Sequence, residues 1–179
     1  FEFIDGKGDQ SIQNDTIDTI LQKDIDLLMV NLVDTGAAPT VIKKIQDAGK
    51  PVVLFNREPA TESIKAYDKA VFIGTNAQEA GVLQGKILAD QWKANPSLDK
   101  NGDGVMQYVM LKGEPDNPEA IARTKYSVST INDAGIKTEE LANQVCNWQQ
   151  DLAQNNMEAW LSRYGNGIEV VIANNDGMA

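Results

Sequence analysis

Short apolar runs alternate with longer amphipathic stretches along most of this chain. Residues 52–55 are apolar at successive positions, which is typical of a strand covered on both faces in a parallel sheet. Between such runs, apolar residues recur every three or four positions, the spacing of a helix with one buried face. The alternation predicts an α/β protein with parallel sheets. Strands are predicted at residues 1–4, 26–33, 51–56, 70–75, 108–111, 138–146 and 168–174, and helices at 11–22, 39–48, 76–95, 118–134 and 149–164.

The same pattern divides the chain into two lobes, residues 1–75 and 76–179. Four strand–helix units precede the division and three follow it, and a polar connector is predicted at 57–68. In the long helix that opens the second lobe, Gly81 and Gly85 share one stripe. We expect these small residues to let the helix lie close to its sheet.

Composition makes several partners and chemistries improbable. With 16 basic and 26 acidic residues the formal charge is −10, which disfavours nucleic acid and anionic membranes because both attract a basic face. No apolar run approaches the roughly 18 residues that cross a bilayer. The single cysteine, Cys146, cannot form an internal disulfide, and the chain has no histidine to activate it. We expect Cys146 to be a small half-buried hydrophobic residue.

Residues 99–107 have the spacing of a calcium-binding loop. Such a loop takes oxygen ligands at positions 1, 3, 5, 7 and 9, turns at a glycine in position 6 and closes with a bidentate glutamate at position 12. Gly104 stands at position 6, but Met110 stands at position 12, so the motif is incomplete. The predicted ligands are four side chains and one backbone carbonyl, namely Asp99, Asn101, Asp103, Gln107 and the carbonyl of Val105.

Two interpretations of this calcium loop stay open from its spacing. Either a carboxylate from elsewhere completes the site, or the segment is only a turn rich in Asp, Asn and Gly. Glu169 is the candidate for the missing ligand, because it begins another predicted strand at the edge where the loop enters the sheet. A strand follows the loop instead of a helix, which argues against a paired helix–loop–helix calcium domain.

Polar and aromatic residues follow several predicted strands. Ligands of open parallel sheets bind outside the carboxyl ends of the strands, so we expect a binding site there. Amides, a carboxylate, a guanidinium and a flat indole together suit a neutral polyhydroxylated molecule, whose hydroxyls donate and accept while its C–H face packs on a ring. The residues in this position are Asn56, Glu119 and Arg123 within 114–123, Trp148 and Asn175.

Each of these residues is also explained by a purely structural role. Glu119 and Arg123 stand four apart on a predicted helix, the spacing of an ordinary exposed ion pair. Trp148 is equally explained as a core residue, and Asn56 and Asn175 as turn residues. The calcium loop lies at the opposite edge of the sheet, on the order of 20 Å away, so we expect calcium to be structural.

Six stretches carry a family resemblance. They are Val-Asn-Leu-Val-Asp at 30–34, Pro-Val-Val-Leu-Phe-Asn-Arg-Glu-Pro at 51–59, the calcium loop, Leu-Lys-Gly-Glu-Pro at 111–115, Ala-Arg-Thr at 122–124 and Ile-Glu-Val-Val-Ile-Ala-Asn-Asn-Asp at 168–176. These strongly resemble the galactose/glucose-binding proteins of bacterial ABC sugar uptake, which belong to the type I periplasmic binding proteins. The resemblance runs over essentially the whole chain, and the calcium loop is unusual in the wider family, which makes it specific.

The resemblance implies two Rossmann-like lobes that close around a monosaccharide, D-galactose or D-glucose. It implies delivery to an ABC permease, signalling to a chemoreceptor in some relatives, and a monomer when complete. The implied location is the periplasm, or the cell exterior as a membrane-anchored lipoprotein. On the matching positions, Asn56, Arg123, Trp148 and Asn175 would contact the sugar, and Asp99, Asn101, Asp103, Val105, Gln107 and Glu169 would hold calcium.

This chain departs from the family pattern at two positions. Where family members often carry His and Asp in the pocket loop, it has Asn117 and Glu119, which bear on which hexose binds and how tightly. Asparagine still serves a hydroxyl, and glutamate keeps the charge. The family also implies a strand and helix before Phe1 and further strand–helix units after Ala179, so we expect this chain to be incomplete at both ends.

Two other function classes fit an α/β fold. A sugar-responsive effector domain of a transcriptional regulator would need a basic DNA-binding segment upstream, and the acidic balance and the calcium loop argue against it. For an α/β enzyme, the sequence offers no nucleophile–base pair, no glycine-rich phosphate loop and no histidine, which leaves only carboxylate chemistry open. We therefore expect a binding protein that is not an enzyme.

Overall fold

Strands and helices alternate along the chain, which a computed structural model describes from residue 1 to residue 179. The helices lack the combination of length and hydrophobicity that a membrane span requires. The strands are β1 (Leu28–Val30), β2 (Val52–Phe55), β3 (Ala70–Ile73), β4 (Val105–Lys112), β5 (Lys137–Val145) and β6 (Val170–Ala173). The helices are α1 (Gln10–Leu21), α2 (Ala38–Asp47), α3 (Thr61–Lys65), α4 (Ala77–Ala94), α5 (Pro118–Asp133) and α6 (Gln150–Tyr164).

The chain forms two compact units, Phe1–Thr75 and Asn76–Ala179. Each unit has its own three-stranded sheet, in the order β1-β2-β3 and β5-β4-β6, and every strand pair is parallel. The predicted α/β class with parallel sheets is confirmed.

The sheet of the first unit is packed on one face. Val52 and Leu54 of β2 are buried with apolar residues of α1 and α2, whereas Phe55 of the same strand is 37% exposed. Met29 and Ile73, from the neighbouring strands, are more exposed still. The prediction that residues 52–55 are covered on both faces is therefore wrong for this unit, because its helices pack on the Val52 side only.

The sheet of the second unit is packed on both faces. Successive residues of β4 point to opposite sides, so Met110 joins a cluster with Ile131 of α5, while Val109 joins one with Trp160 of α6. Cys146 is fully buried in the α6 cluster, and burial raises the pKa of its thiol. Cys146 thus has the inert packing role that the sequence suggests, although it is fully buried and not half-buried.

Two predicted elements differ in the structure. Residues 1–4 form no strand, and Phe1 and Phe3 are exposed. Apolar residues alone do not make a strand, because a strand also needs a hydrogen-bonded neighbour, and no strand pairs with this segment. The predicted polar connector at 57–68 contains the short helix α3. A helix of five residues is too short to show a helical pattern of apolar residues in the sequence.

The small residues of α4 face another helix. A Cβ atom on Gly81 would lie 2.9 Å from Cβ of Tyr126, and one on Gly85 would lie 2.5 Å from the backbone oxygen of Ser127, both in α5. The prediction that this stripe faces the sheet is wrong. The missing side chains instead let α4 and α5 approach closely.

Candidate functional site

Three parallel strands of the second unit end together at one edge of their sheet, called the carboxyl edge below. β4 is paired with β5 as far as Lys112 and Val145, and with β6 as far as Leu111 and Ala173. The segments that follow these strands therefore begin side by side. They contain Trp148, Asn174, Asn175 and the start of α5.

Trp148 lies against Gly113, the first residue after β4. A Cβ atom on Gly113 would overlap the six-membered ring of the indole, so this close approach requires glycine. Trp148 has a φ of +65° and Asn147 one of +50°, conformations that cost about 1–3 kcal/mol each and concentrate at functional sites. The indole is half-buried against the α6 cluster. Trp148 thus has the predicted packing role and keeps part of its ring exposed at the carboxyl edge.

Asn174 connects the segments of this edge, although the sequence predicts no role for it. Its side chain is 2% exposed. Its Oδ1 accepts the N–H of Gly113 at 3.0 Å, and its Nδ2 donates to Oγ1 of Thr124 at 3.1 Å. Its backbone oxygen accepts a hydrogen bond from Nη1 of Arg123 at 2.8 Å. The signal for Asn174 in the sequence is the pair Asn174-Asn175 after an apolar strand, of which only Asn175 is a predicted contact.

Glu119 and Arg123 form an ion pair on the first turns of α5. Nη2 of Arg123 donates to Oε2 of Glu119 at 2.8 Å, and the two side chains are only 26% and 10% exposed, respectively. The alternative of an ordinary exposed pair does not describe this geometry, because partial burial strengthens the attraction and raises its desolvation cost. Nε of Arg123 is buried and has no hydrogen-bond partner.

Asn117 and Asn175 cap the elements that follow them. Oδ1 of Asn117 accepts the N–H of Glu119 at 2.9 Å, and its Nδ2 donates to the carboxylate of Glu114 at 3.4 Å. Oδ1 of Asn175 accepts the N–H of Met178 at 3.0 Å. Both residues therefore have a local turn role at the carboxyl edge. For Asn175, this is the turn role that the sequence offers as the alternative to ligand binding.

Asn56 is the predicted contact that lies in the first unit. It follows β2 with a φ of +66°, and its backbone N–H donates to the oxygen of Ile73 at 3.2 Å. Its Nδ2 donates to Oδ1 of Asn31 at 3.4 Å, and its side chain is exposed. Asn56 thus holds a strained turn where β2 ends, in the sheet of the first unit.

An open cavity of about 530 Å³ lies beside part of the predicted set in the second unit. Arg123, Asn174 and Asn175 line it, together with Gln84, whose Nε2 donates to the oxygen of Ala173 at 2.9 Å. Trp148 and Glu119 do not line it. The five second-unit predictions therefore share one sheet edge, and two of them share this cavity.

The calcium loop folds around two carboxylates. Asp99 accepts the N–H groups of Gly102 and Gly104 at 2.8 and 2.9 Å, and both glycines have positive φ, +74° and +72°. Asp103 accepts the N–H of Val105 at 2.8 Å, which lowers the pKa of its carboxyl below the ordinary value of 3.8. The turn interpretation accounts for these bonds by themselves.

Glu169 reaches the calcium loop from the segment that leads into β6. Its Oε1 accepts the N–H of Lys100 at 2.6 Å, and its Oε2 accepts the N–H of Gln107 at 3.0 Å. The structure thus brings Glu169 to the loop across 62 or more residues of sequence. A simple local turn gives no reason for that contact.

The donor chemistry of this cluster fits calcium better than a transition metal. The amides of Asn101 and Gln107 both donate to Oδ2 of Asp103, at 3.0 and 2.9 Å. No three or more His, Cys, Asp or Glu side chains of the chain are arranged to hold a metal ion. A cation here would therefore depend on amide and carbonyl oxygens as well as carboxylates, which calcium accepts readily.

Comparison with known proteins points in one direction. A family profile described as periplasmic binding protein domain matches residues 1–179. The chain is 48% identical over 176 residues to the D-galactose/methyl-galactoside binding periplasmic protein of Haemophilus influenzae, an alignment that covers 98% of this chain and 53% of that protein. The chain therefore spans about half the length of this relative.

Solved structures share the fold. A Mycobacterium smegmatis protein in complex with β-D-fucofuranose matches with a TM-score of 0.82 and 27% identity, over 99% of this chain and 55% of that one. An ABC transporter periplasmic solute binding protein of Actinobacillus succinogenes with bound D-allose matches with a TM-score of 0.81 and 20% identity, over 99% of this chain and 58% of that one. At that identity the second match speaks for the fold alone.

Proposed function

Because the chain belongs to the periplasmic binding protein domain family, we propose that it is part of an extracytoplasmic protein that captures a monosaccharide for an ABC importer. The sugar we propose is of the galactose/glucose type. Identity of 48% to a protein named for D-galactose binding supports this choice. The protein acts by binding and release of the sugar and not as an enzyme.

The partly buried guanidinium of Arg123 carries the proposal. Glu119 already neutralises its charge, and the backbone oxygen of Asn174 takes a second N–H. The Nε–H is buried without a partner, and an unmade bond of this kind costs about 1–3 kcal/mol. Because Glu119 neutralises the guanidinium, a neutral oxygen acceptor suits its N–H groups better than an anion, whose charge the Glu119 carboxylate would repel. Sugar hydroxyl and ring oxygens are such acceptors.

Trp148 supplies the apolar part of the recognition. Its indole is held at the carboxyl edge by Gly113 and stays partly exposed. The C–H face of a pyranose packs on such a ring, while its hydroxyls meet amides around the rim. The proposed sugar contacts are Asn56, Asn117, Glu119, Arg123, Trp148 and Asn175.

The proposed cellular role follows from the family. We place the protein in the periplasm, or outside the cell as a membrane-anchored lipoprotein. Its partners are the sugar, an ABC permease and, for a chemotaxis role, a chemoreceptor, and the complete protein acts as a monomer.

Calcium is proposed as a structural ion. Asp99, Asn101, Asp103, Gln107, the carbonyl of Val105 and Glu169 would hold it, and it would supply positive charge that joins the calcium loop to the segment before β6. The eight residues of β4 separate this site from the carboxyl edge by roughly 23 Å. At that distance a screened charge has little effect on a sugar, so its role is stability.

Isothermal titration calorimetry on the complete protein tests the sugar proposal. The ligands are D-galactose, D-glucose, D-ribose and the anionic D-galacturonate. We expect heat with D-galactose or D-glucose and a strong loss of affinity in Arg123→Ala. The matched control is Arg163→Ala, which removes an arginine that lies over the ring of Tyr164 in α6. No heat with any monosaccharide, or a preference for galacturonate, would overturn the proposal.

A further inference from the structure

We infer that Asn174 is the positioning residue of the proposed sugar site, an inference that rests on the proposed function. Asn174 is too deeply buried to serve as a main ligand contact, since only 2% of it is exposed. Its bonds reach the two groups on which the sugar proposal depends most. The side chain holds the support of Trp148, and the backbone oxygen holds Arg123.

The orientation of the Asn174 amide is determined by Gly113. The backbone N–H of Gly113 can only donate, so the group facing it at 3.0 Å has to be Oδ1. The Nδ2 group then faces Oγ1 of Thr124 at 3.1 Å and Sδ of Met110 at 3.9 Å. Thr124 Oγ1 is therefore the main acceptor that the amide needs from α5.

These bonds tie three chain segments to one side chain. Gly113 follows β4, and the indole of Trp148 packs directly against its backbone. Thr124 is the neighbour of Arg123 on α5, so the bond that holds Thr124 also sets the height of Arg123 above the sheet. Arg123 then donates to the oxygen of Asn174 itself, which closes the connection.

A purely packing role does not explain an amide at this position. Burying an amide is unfavourable unless its donors and acceptors are bonded, and an apolar residue would fill the space without that requirement. The amide instead specifies geometry, because its bonds form only when the Gly113, Thr124 and Asn174 segments are in register. Displacing any of them separates the indole from the guanidinium.

Variants of the Thr124 hydroxyl test the inference with little risk to folding. Thr124→Val removes the acceptor and keeps the shape, whereas Thr124→Ser keeps the acceptor. Asn174→Ala removes the side-chain bonds to Gly113 and Thr124 and keeps the backbone oxygen that accepts from Arg123. The control is Tyr164→Phe, which deletes a 2.7 Å hydrogen bond to the oxygen of Leu141 in the same unit and is not one of the proposed sugar contacts. Calorimetry with D-galactose and thermal unfolding are measured for each variant of the complete protein.

We expect Thr124→Val and Asn174→Ala to bind D-galactose at least about tenfold more weakly, the effect of losing one or two buried hydrogen bonds. Thr124→Ser restores most of the affinity. Tyr164→Phe lowers the unfolding temperature without changing the affinity. If Thr124→Val and Asn174→Ala lose stability but bind as tightly as the wild type, Asn174 is only structural and the inference falls while the proposed function stands. A wild type that binds no monosaccharide overturns both.

Discussion

Trp148 lies so close to Gly113 that its indole occupies the space where any other residue would carry a Cβ atom. The ring is therefore positioned by backbone and not by neighbouring side chains alone. Because Gly113 also donates to Oδ1 of Asn174, the same residue supports the indole and joins the segment after β6. This relationship makes Gly113 a sensitive point of the carboxyl edge.

Gly113→Ala should displace the indole and weaken D-galactose binding. Losing the aromatic contact corresponds to about a tenfold increase in Kd, measured by calorimetry. The control Trp160→Phe alters another indole of the same apolar cluster, 9% exposed, and should lower stability without changing affinity. Unchanged binding by Gly113→Ala would contradict a role for Trp148 in sugar recognition.

Arg123→Lys should weaken D-galactose binding although it keeps the positive charge. Lysine keeps the charge, but its ammonium does not reproduce the planar fork that bonds Glu119 and Asn174 together and leaves a third donor free. We expect D-galactose affinity to fall by at least about tenfold, which corresponds to about 1.4 kcal/mol. Arg163→Lys on α6 is the control and should bind like the wild type. Equal D-galactose affinities of the Arg123→Lys and Arg163→Lys variants would show that Arg123 does not contact the sugar.

Removing calcium should lower the unfolding temperature while leaving sugar affinity nearly unchanged. An ion bound only by the folded protein stabilises it by about 2.7 kcal/mol at 100 times its Kd. Thermal unfolding with added calcium or with EGTA measures this effect. Glu169→Gln should abolish the difference, whereas Glu158→Gln, which changes an exposed glutamate of α6, should retain it. An unfolding temperature insensitive to EGTA in the wild type would leave only the turn interpretation of the loop.

Acid should destabilise the calcium loop through Asp103. The N–H of Val105 lowers the pKa of this carboxyl below 3.8 in the folded protein. A carboxyl with a lowered folded pKa contributes stability above its unfolded pKa and loses it as the pH falls through the folded pKa. In EGTA, the stability difference between the wild type and Asp103→Asn should therefore shrink below about pH 4. A difference that stays constant over this range would show that the Asp103 carboxyl is not held by the loop.

Gly85→Ala should destabilise the second unit. The added Cβ would lie 2.5 Å from the backbone oxygen of Ser127, which cannot move without shifting α5. Overpacking costs about 1–3 kcal/mol, against a gain in helix propensity of about 1 kcal/mol, so we expect a net loss of up to about 2 kcal/mol in urea unfolding. Gly167→Ala, where a Cβ meets nothing within 4 Å, is the control and should be nearly neutral. A Gly85→Ala protein as stable as the control would mean that α4 and α5 pack less closely.

The sequence by itself determined the features that depend on periodicity and on the two ends of each strand. Runs of apolar residues specified strands and their alternation with helices, hence the parallel class. Since parallel strands share their edges, position along a strand also placed Glu169 beside the calcium loop and Trp148, Arg123 and Asn175 at the carboxyl edge.

Tertiary structure decided which side of an element faces a partner. Phe55 reads as a buried strand residue, but helices cover only the opposite face of its sheet. Gly81 and Gly85 predict that another element packs closely on α4, but only the structure shows that this element is α5. Asn174 and Asn175 are equivalent in composition, and only the course of the chain after β6 buries one and turns the other into a cap. The physical reason is that periodicity reports local geometry, whereas burial depends on segments distant in sequence.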